Sequence, residues 1–309
     1  MIVGTKAALT EEQLLDRREK GATWFEVHTN YEDIENLEIT IEKKSVLKEI
    51  GLKTYCVHAP MYDENNIWLP FVATDEKLQK KSFDFFKKTV MIANEICHYE
   101  KPLVIAHLDL LIYMSEFDNK EKFKDYHKRA ITEMNEFLIK NYPNVTLLIE
   151  NSMKIIPKKE ITIIPNDYTE ELKECFDELK PTNIGFLIDT CHLEASCNIN
   201  KMIPNKQTYT SIYEIIYLFK DYLKQIHLSK AKYFGLRSHE HGAGFSKKSQ
   251  DDMAYMKEFL LFLNLIGYKN PITIETYEEN ISDAINYKLT RETIEEANRQ
   301  LNNIFDFEF

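Results

Sequence analysis

Six apolar, β-rich runs in this chain each close on a carboxylate or an imidazole. They are Thr54–His58, Leu103–His107, Val145–Glu150, Ile184–Asp189, Tyr222–His227 and Pro271–Glu275. A short apolar run bounded by polar residues reads as a strand buried on both faces. Ending such a strand in a charged group costs several kcal/mol of desolvation unless that group is paired or holds a metal. Asp189 alone has a plainer reading, as the N-cap of the next helix with His192 in its first turn. The repetition argues for more, because no Lys or Arg closes any of the six runs.

The six runs sit inside a longer alternation. Strands are expected over Ile2–Thr5, Trp24–Thr29, Lys53–His58, Pro102–His107, Val145–Glu150, Ile184–Asp189, Lys224–Ser229 and Pro271–Glu275. Helical stretches follow each of them. Thr10-Glu11-Glu12-Gln13 resembles a capping box opening a helix to about Lys20, with Gly21 as its stop. Further helices are expected over Thr40–Ile50, Asp75–His98, Lys120–Lys140, Thr169–Leu179, Thr208–Tyr222, Gln250–Ile266 and Ser282–Asn303. Three segments read as irregular: Ala59–Thr74, Asn151–Tyr168 and Lys230–Lys248. Strand and helix alternating eight times predicts an α/β fold, a single (β/α)8 TIM barrel spanning residues 1–309 as one domain. Active sites of such barrels lie at the carboxyl ends of the strands, where the six acidic and imidazole side chains fall.

Composition narrows the setting. No apolar run reaches the roughly 18 residues of a membrane span, and the amino terminus lacks a signal-peptide pattern. The five cysteines are odd in number and scattered, which points to reduced thiols and a cytoplasmic protein. A formal charge of −11 argues against a broad phosphate-backbone footprint.

Imidazole nitrogen and carboxylate oxygen together suit a divalent metal such as Zn, Mn, Fe or Co. His58, His107, Glu150, Asp189, His192, His227 and Glu275 exceed the four ligands of one tetrahedral ion, so between one and three ions are expected, or some of these groups serve the substrate. His239 and His241 are further candidate ligands, with the choice between them open. Glu26 and His28 share one face of the second strand; Glu26 reads equally as a carboxylate orienting a ligand imidazole. Tyr62 and Trp68, in the aromatic Ala59–Thr74 loop, are candidate substrate contacts, with Trp68 and Phe71 reading either as core residues or as a lid; Lys230 and Lys232, just past His227, read either as contacts to a substrate phosphate or carboxylate or as a solvated pair. His98 and His127 read as solvated helix residues, and Cys191 as a small buried side chain rather than a thiolate ligand.

Taken in order, Val57-His58-Ala59-Pro60, Ile105-Ala106-His107, Ile149-Glu150-Asn151, Asp189-Thr190-Cys191-His192, Ile226-His227-Leu228, Gly242-Ala243-Gly244 and Ile274-Glu275-Thr276 form a recognisable series. The chain resembles the xylose isomerase-like barrel superfamily, which includes endonuclease IV (apurinic endonuclease family 2) and sugar isomerases and epimerases. In the epimerase-like branch the resemblance implies one divalent metal on Glu150, Asp189, His227 and Glu275. The two glutamates then form the acid–base pair and His192 touches the substrate. In the endonuclease branch it implies three zinc ions, adding His58, His107 and an Asp-x-His pair. Here that pair is replaced by His239-Glu240-His241. The segment Tyr31–Glu38, where DNA-entering loops are expected, is acidic and has no arginine. The arginine expected soon after His227 has only Lys230, Lys232 or Arg237 to stand for it.

The leading expectation is a metal-dependent sugar or sugar-phosphate isomerase or epimerase acting on a small carbohydrate-like substrate through an enediolate. The alternative is a multinuclear zinc phosphodiester hydrolase acting on nucleic acid. A barrel that binds a metal or small molecule without turnover is the third reading.

Overall fold

Strands buried on both faces need helices packed on the outside, and a closed sheet has no edge left to cover. The computed structural model describes residues 1–66, 69, 72–73, 76–107, 110–113, 120–151, 161–164, 169–202, 211–233 and 239–309. Side chains at 72–73, 110–113, 120–123, 161–164, 169–170, 199–202, 232–233 and 239–241 lie outside that description. Eight strands form a closed barrel: β1 Val3–Ala7, β2 Trp24–His28, β3 Lys53–His58, β4 Leu103–His107, β5 Thr146–Glu150, β6 Ile184–Asp189, β7 Leu223–Leu228 and β8 Ile272–Ile274. Their order around the barrel is β1-β8-β7-β6-β5-β4-β3-β2. With helices alternating along the chain, this is a (β/α)8 TIM barrel.

Parallel registers set the site residues at matching heights. Along β4 and β5, Leu103 pairs with Thr146 and His107 with Glu150. Along β7 and β8, Ile226 pairs with Ile272 and Leu228 with Ile274. Every residue of β6 is buried, as its unbroken apolar run requires.

The chain gathers into two compact units. One comprises Met1–Glu26, Val46–Lys53 and Ile188–Phe309, with Phe25, Phe219, Phe245, Phe259 and Ile226 in its core. The other comprises Val27–Ser45 and Thr54–Leu187, with Tyr55, Phe86, Ile105, Leu148 and Phe176 in its core.

Several local expectations are corrected. Thr10 does precede the Glu11–Glu19 helix but makes no side-chain cap. The Gln13 carboxamide accepts the N–H of Ala8 instead, so the reciprocal half of the box is diverted. The acidic segment after β2 is not an open loop. It holds the Tyr31–Glu35 helix, opened by a capping box between Asn30 and Asp33, then the short helices Leu37–Glu42 and Lys44–Ile50 in place of one helix over Thr40–Ile50. All three segments read as irregular contain strands. Ile161–Ile164 pairs antiparallel with Leu110–Tyr113, which pairs in parallel with Val72–Ala73. Lys230–Tyr233 pairs antiparallel with His239–Ala243.

His127 is buried rather than solvated. It shares the inward face of the Lys120–Asn141 helix with Ala130, Ile131, Met134 and Leu138, which recur at helical spacing. His98 lies past the end of the Glu76–Ile96 helix and is exposed, its Nδ1 accepting the N–H of Thr54 at 3.3 Å.

Gly242 is the tightest backbone position. Its φ is +77°, and a Cβ there would stand 2.7 Å from the backbone nitrogen of Tyr277, which donates to the Gly242 carbonyl. Both the conformation and the close approach exclude a side chain. Gly242→Ala is therefore expected to destabilise the protein by about 2–4 kcal/mol, read as a lower thermal unfolding midpoint; an unchanged midpoint would show that the turn can relax.

Candidate metal centre

The site groups are assembled separately in the two units. In the first unit the central side chain is His227, fully buried near the end of β7. Its Nε2 lies 2.9 Å from Glu26 Oε2. Glu26 is itself fully buried on β2, and the same Oε2 accepts from Gln225 at 2.6 Å and from the Thr273 hydroxyl at 3.1 Å. A carboxylate held by these donors fixes the imidazole with Nε2–H pointing at it, which leaves the lone pair on Nδ1. Nδ1 faces Oε2 of Glu275, the residue that follows β8. Asp189, at the end of β6, contributes the third ligand-type atom. Asp189, His227 and Glu275 each bring one such atom within 4.8 Å of the others.

Glu26 stands against His227, the contact its orienting reading expects. Asp189 meets its helix-cap reading. Its Oδ1 accepts the N–H of His192 at 2.8 Å and so caps the Thr190–Met202 helix, while the same carboxylate belongs to the ligand group. Cys191 is buried, and burial foremost, with Asp189 next, pushes its thiol far above the usual range. It packs as a small neutral side chain.

In the second unit His58, His107 and Glu150 end β3, β4 and β5, with ligand atoms within 4.8 Å of one another. Glu150 Oε2 is 3.2 Å from His58 Nε2 and 3.3 Å from His107 Nε2. The His58 ring lies 5.3 Å from that of His107 and 5.4 Å from that of His28, centroid to centroid. The Ala59 carbonyl lies 2.7 Å from His58 Nδ1, and a carbonyl has no proton to give, so Nδ1 carries the hydrogen. In the neutral ring, Nε2 then turns a lone pair toward a carboxylate oxygen. That contact is repulsive until a proton or a metal ion sits between the two atoms.

Both groups therefore fit a divalent cation by the chemistry of their donors. Each is a mixed nitrogen and oxygen set, fixed by outer hydrogen bonds, with acceptor facing acceptor. His192 is half-buried in the first turn of its helix and belongs to neither group among the described residues. Lys230 donates to Asp252 Oδ1 at 2.7 Å and lies over the Phe245 ring. Tyr62 is exposed. Trp68 and the side chains of Lys232, His239 and His241 lie outside the described residues.

Three partners were not anticipated. Lys6 on β1 donates to Glu275 Oε1 at 2.7 Å, whereas the sequence-based strand stopped at Thr5. Gln225 and Thr273 stand two residues before His227 and Glu275, the spacing that puts them on the same strand face. That period was the available signal.

Glu26→Gln is expected to weaken divalent-metal binding by about 10–100-fold, the usual cost of losing an outer partner of a ligand imidazole. Calorimetric titration with Mn2+ measures it. Affinity equal to that of the unmodified protein would remove Glu26 from the centre.

Comparison with known proteins agrees with the fold. The family model described as xylose isomerase-like TIM barrel matches residues 17–301. No curated protein matches the sequence. Among solved structures, a D-tagatose 3-epimerase-like protein superposes with a TM-score of 0.66 at 16% identity, covering 97% of this chain and 100% of its own. D-psicose 3-epimerase from Clostridium cellulolyticum H10 gives 0.63 at 14% identity, covering 98% and 99%. An AP endonuclease, family 2, from Brucella melitensis gives 0.56 at 12% identity, covering 91% and 95%. Identities this low speak to the fold alone. Since the family model spans nearly the whole sequence, this chain belongs to the xylose isomerase-like TIM barrel family.

Proposed function

We propose that the protein is a divalent-metal-dependent isomerase or epimerase of a small sugar or sugar phosphate. The carrying observation is His227, clamped by Glu26 and turning Nδ1 to Glu275. The proposed ligand set is Glu150, Asp189, His227 and Glu275. The barrel order supports it, since β5, β6, β7 and β8 are consecutive neighbours and each delivers one of the four at its carboxyl end. Residues 1–309 work in this reading as one domain, because neither compact unit alone supplies all eight strands of the closed sheet.

A divalent ion on these four groups would polarise a substrate carbonyl and the neighbouring hydroxyl, which lowers the cost of removing the α-proton. Glu150 accepts that proton, leaving an enediolate. Glu275, holding a proton at the start of the cycle, delivers it to the same carbon for epimerisation, or to its neighbour for isomerisation. His192 donates a hydrogen bond to a substrate hydroxyl, and Glu26 keeps His227 in one tautomer.

The test is a panel of free and phosphorylated ketoses with Mn2+ in D2O, read by deuterium entering the α-carbon. Glu150→Gln is expected to slow exchange about 10³-fold while the barrel stays folded. Unchanged exchange in that variant would end the acid–base assignment.

The cluster of His58, His107 and Glu150 favours a second reading, a multinuclear zinc phosphodiester hydrolase of the endonuclease IV type. A single ion on the first set leaves His58 and His107 without a task, whereas a zinc cluster would use both and supply an activated water. The Tyr31–Glu35 helix itself carries Glu32, Asp33 and Glu35 and no basic residue. Incision of abasic-site DNA by the zinc-loaded protein, lost in His107→Ala, would establish this reading over the first.

A further inference from the structure

We propose that Lys6 is the built-in counter-charge of the centre and a positioning residue for Glu275. The inference rests on the metal reading above and concerns the same site. Lysine is among the residue types least often buried, yet Lys6 stands on β1 with only 14% of its side chain accessible. Its ammonium donates to Glu275 Oε1 at 2.7 Å and lies 3.9 Å from Glu26 Oε1. The other oxygens of both carboxylates go to His227, Glu275 Oε2 to Nδ1 and Glu26 Oε2 to Nε2. Lys6, Glu275, His227 and Glu26 thereby close a ring, each touching the next.

Two consequences follow from this ring. The first is the mode of ligation. A carboxylate can offer one oxygen or both to a cation. Lys6 occupies Oε1 of Glu275, so Oε2 is the oxygen on the ligand side. The second is charge. Lys6 brings one positive charge against the carboxylates of Glu26 and Glu275, and so offsets part of the negative charge that a divalent cation would meet there. A neutral residue at position 6 would leave the centre more negative, with Glu275 free to turn both oxygens inward.

Both effects act in the same direction on metal affinity. Taking away a positive charge beside a cation site strengthens binding, and freeing a second carboxylate oxygen adds a donor. A side chain that merely props Glu275 in place has the opposite signature, because removing the prop loosens the ligand and weakens binding. The sign of the change separates the two roles.

The experiment is a calorimetric titration of the full chain with Mn2+, comparing the unmodified protein with Lys6→Met, Lys6→Gln and Lys6→Arg. Folding is checked by circular dichroism. Lys6→Met and Lys6→Gln are expected to bind Mn2+ about tenfold more tightly, the order of one charge step beside a divalent ion at high effective dielectric. Lys6→Arg keeps the charge and stays within about threefold of the unmodified protein. If Lys6→Met alone fails to fold, Lys6→Gln, neutral and still able to donate a hydrogen bond, carries the comparison. Equal or weaker binding in the folded neutral variants overturns the counter-charge role while leaving the metal reading intact. Absence of Mn2+ binding in the unmodified protein overturns the metal reading, and this proposal with it.

Discussion

The hydrogen bond between Glu26 and His227 is the contact on which the first unit's group depends. Both groups are fully buried, so the carboxylate forfeits its hydration, a loss of several kcal/mol unless donors replace the water. The donors come from β7 and β8: His227 and Gln225 from one, Thr273 from the other. Strand register and site geometry are therefore one problem. A one-residue slip of β7 would turn Gln225 and His227 to the opposite face together and strand Glu26 in an apolar core. The cost of that orphaned charge guards the register as firmly as the apolar packing around it.

The second unit's group is held differently. His58 is oriented by a backbone carbonyl, not by a carboxylate, so its tautomer is set by the chain just past β3. Its outward nitrogen then meets Glu150, acceptor to acceptor. With the ring neutral, a cation placed there relieves the repulsion between the two acceptors. Binding of that kind couples directly to stability, because the folded chain gathers the ligands and the unfolded chain does not.

How far the sequence disclosed this depends on what each residue's neighbours signal. Asp189, His227 and Glu275 were legible because a charged or imidazole group at the end of an apolar run conflicts with burial, and that conflict needs a reason. Lys6 was not, because strand ends are uncertain by a residue or two and the first run appeared to end at Thr5. Glu26 was legible only as a pair of alternatives, since period-two spacing gives its face but not its partner across the barrel. His127 was misread because its charged neighbours in sequence outweighed the inward stripe of Ala130, Ile131 and Met134, which appears only at helical spacing. The strands Leu110–Tyr113 and Ile161–Ile164 escaped notice because each is four residues long and finds its partner far along the chain. So short a run carries too little periodicity to be told from loop.

The two proposed chemistries part over charge and donor type, not over fold. Around His227 the donors are mainly carboxylate oxygens, with Lys6 offsetting one of their charges. That set suits a single hard or borderline divalent ion such as Mn2+. If Glu150 joins it, His58 and His107 remain with nitrogen donors and little negative charge of their own. A pair of imidazoles selects zinc over magnesium or manganese. In this picture a hard ion fills one place and leaves the imidazole pair open to substrate, as proton transfer at carbon requires. Zinc at both places supplies two divalent cations, the arrangement suited to a phosphodiester. The identity of the ion, more than the shape of the barrel, then decides which chemistry these residues support.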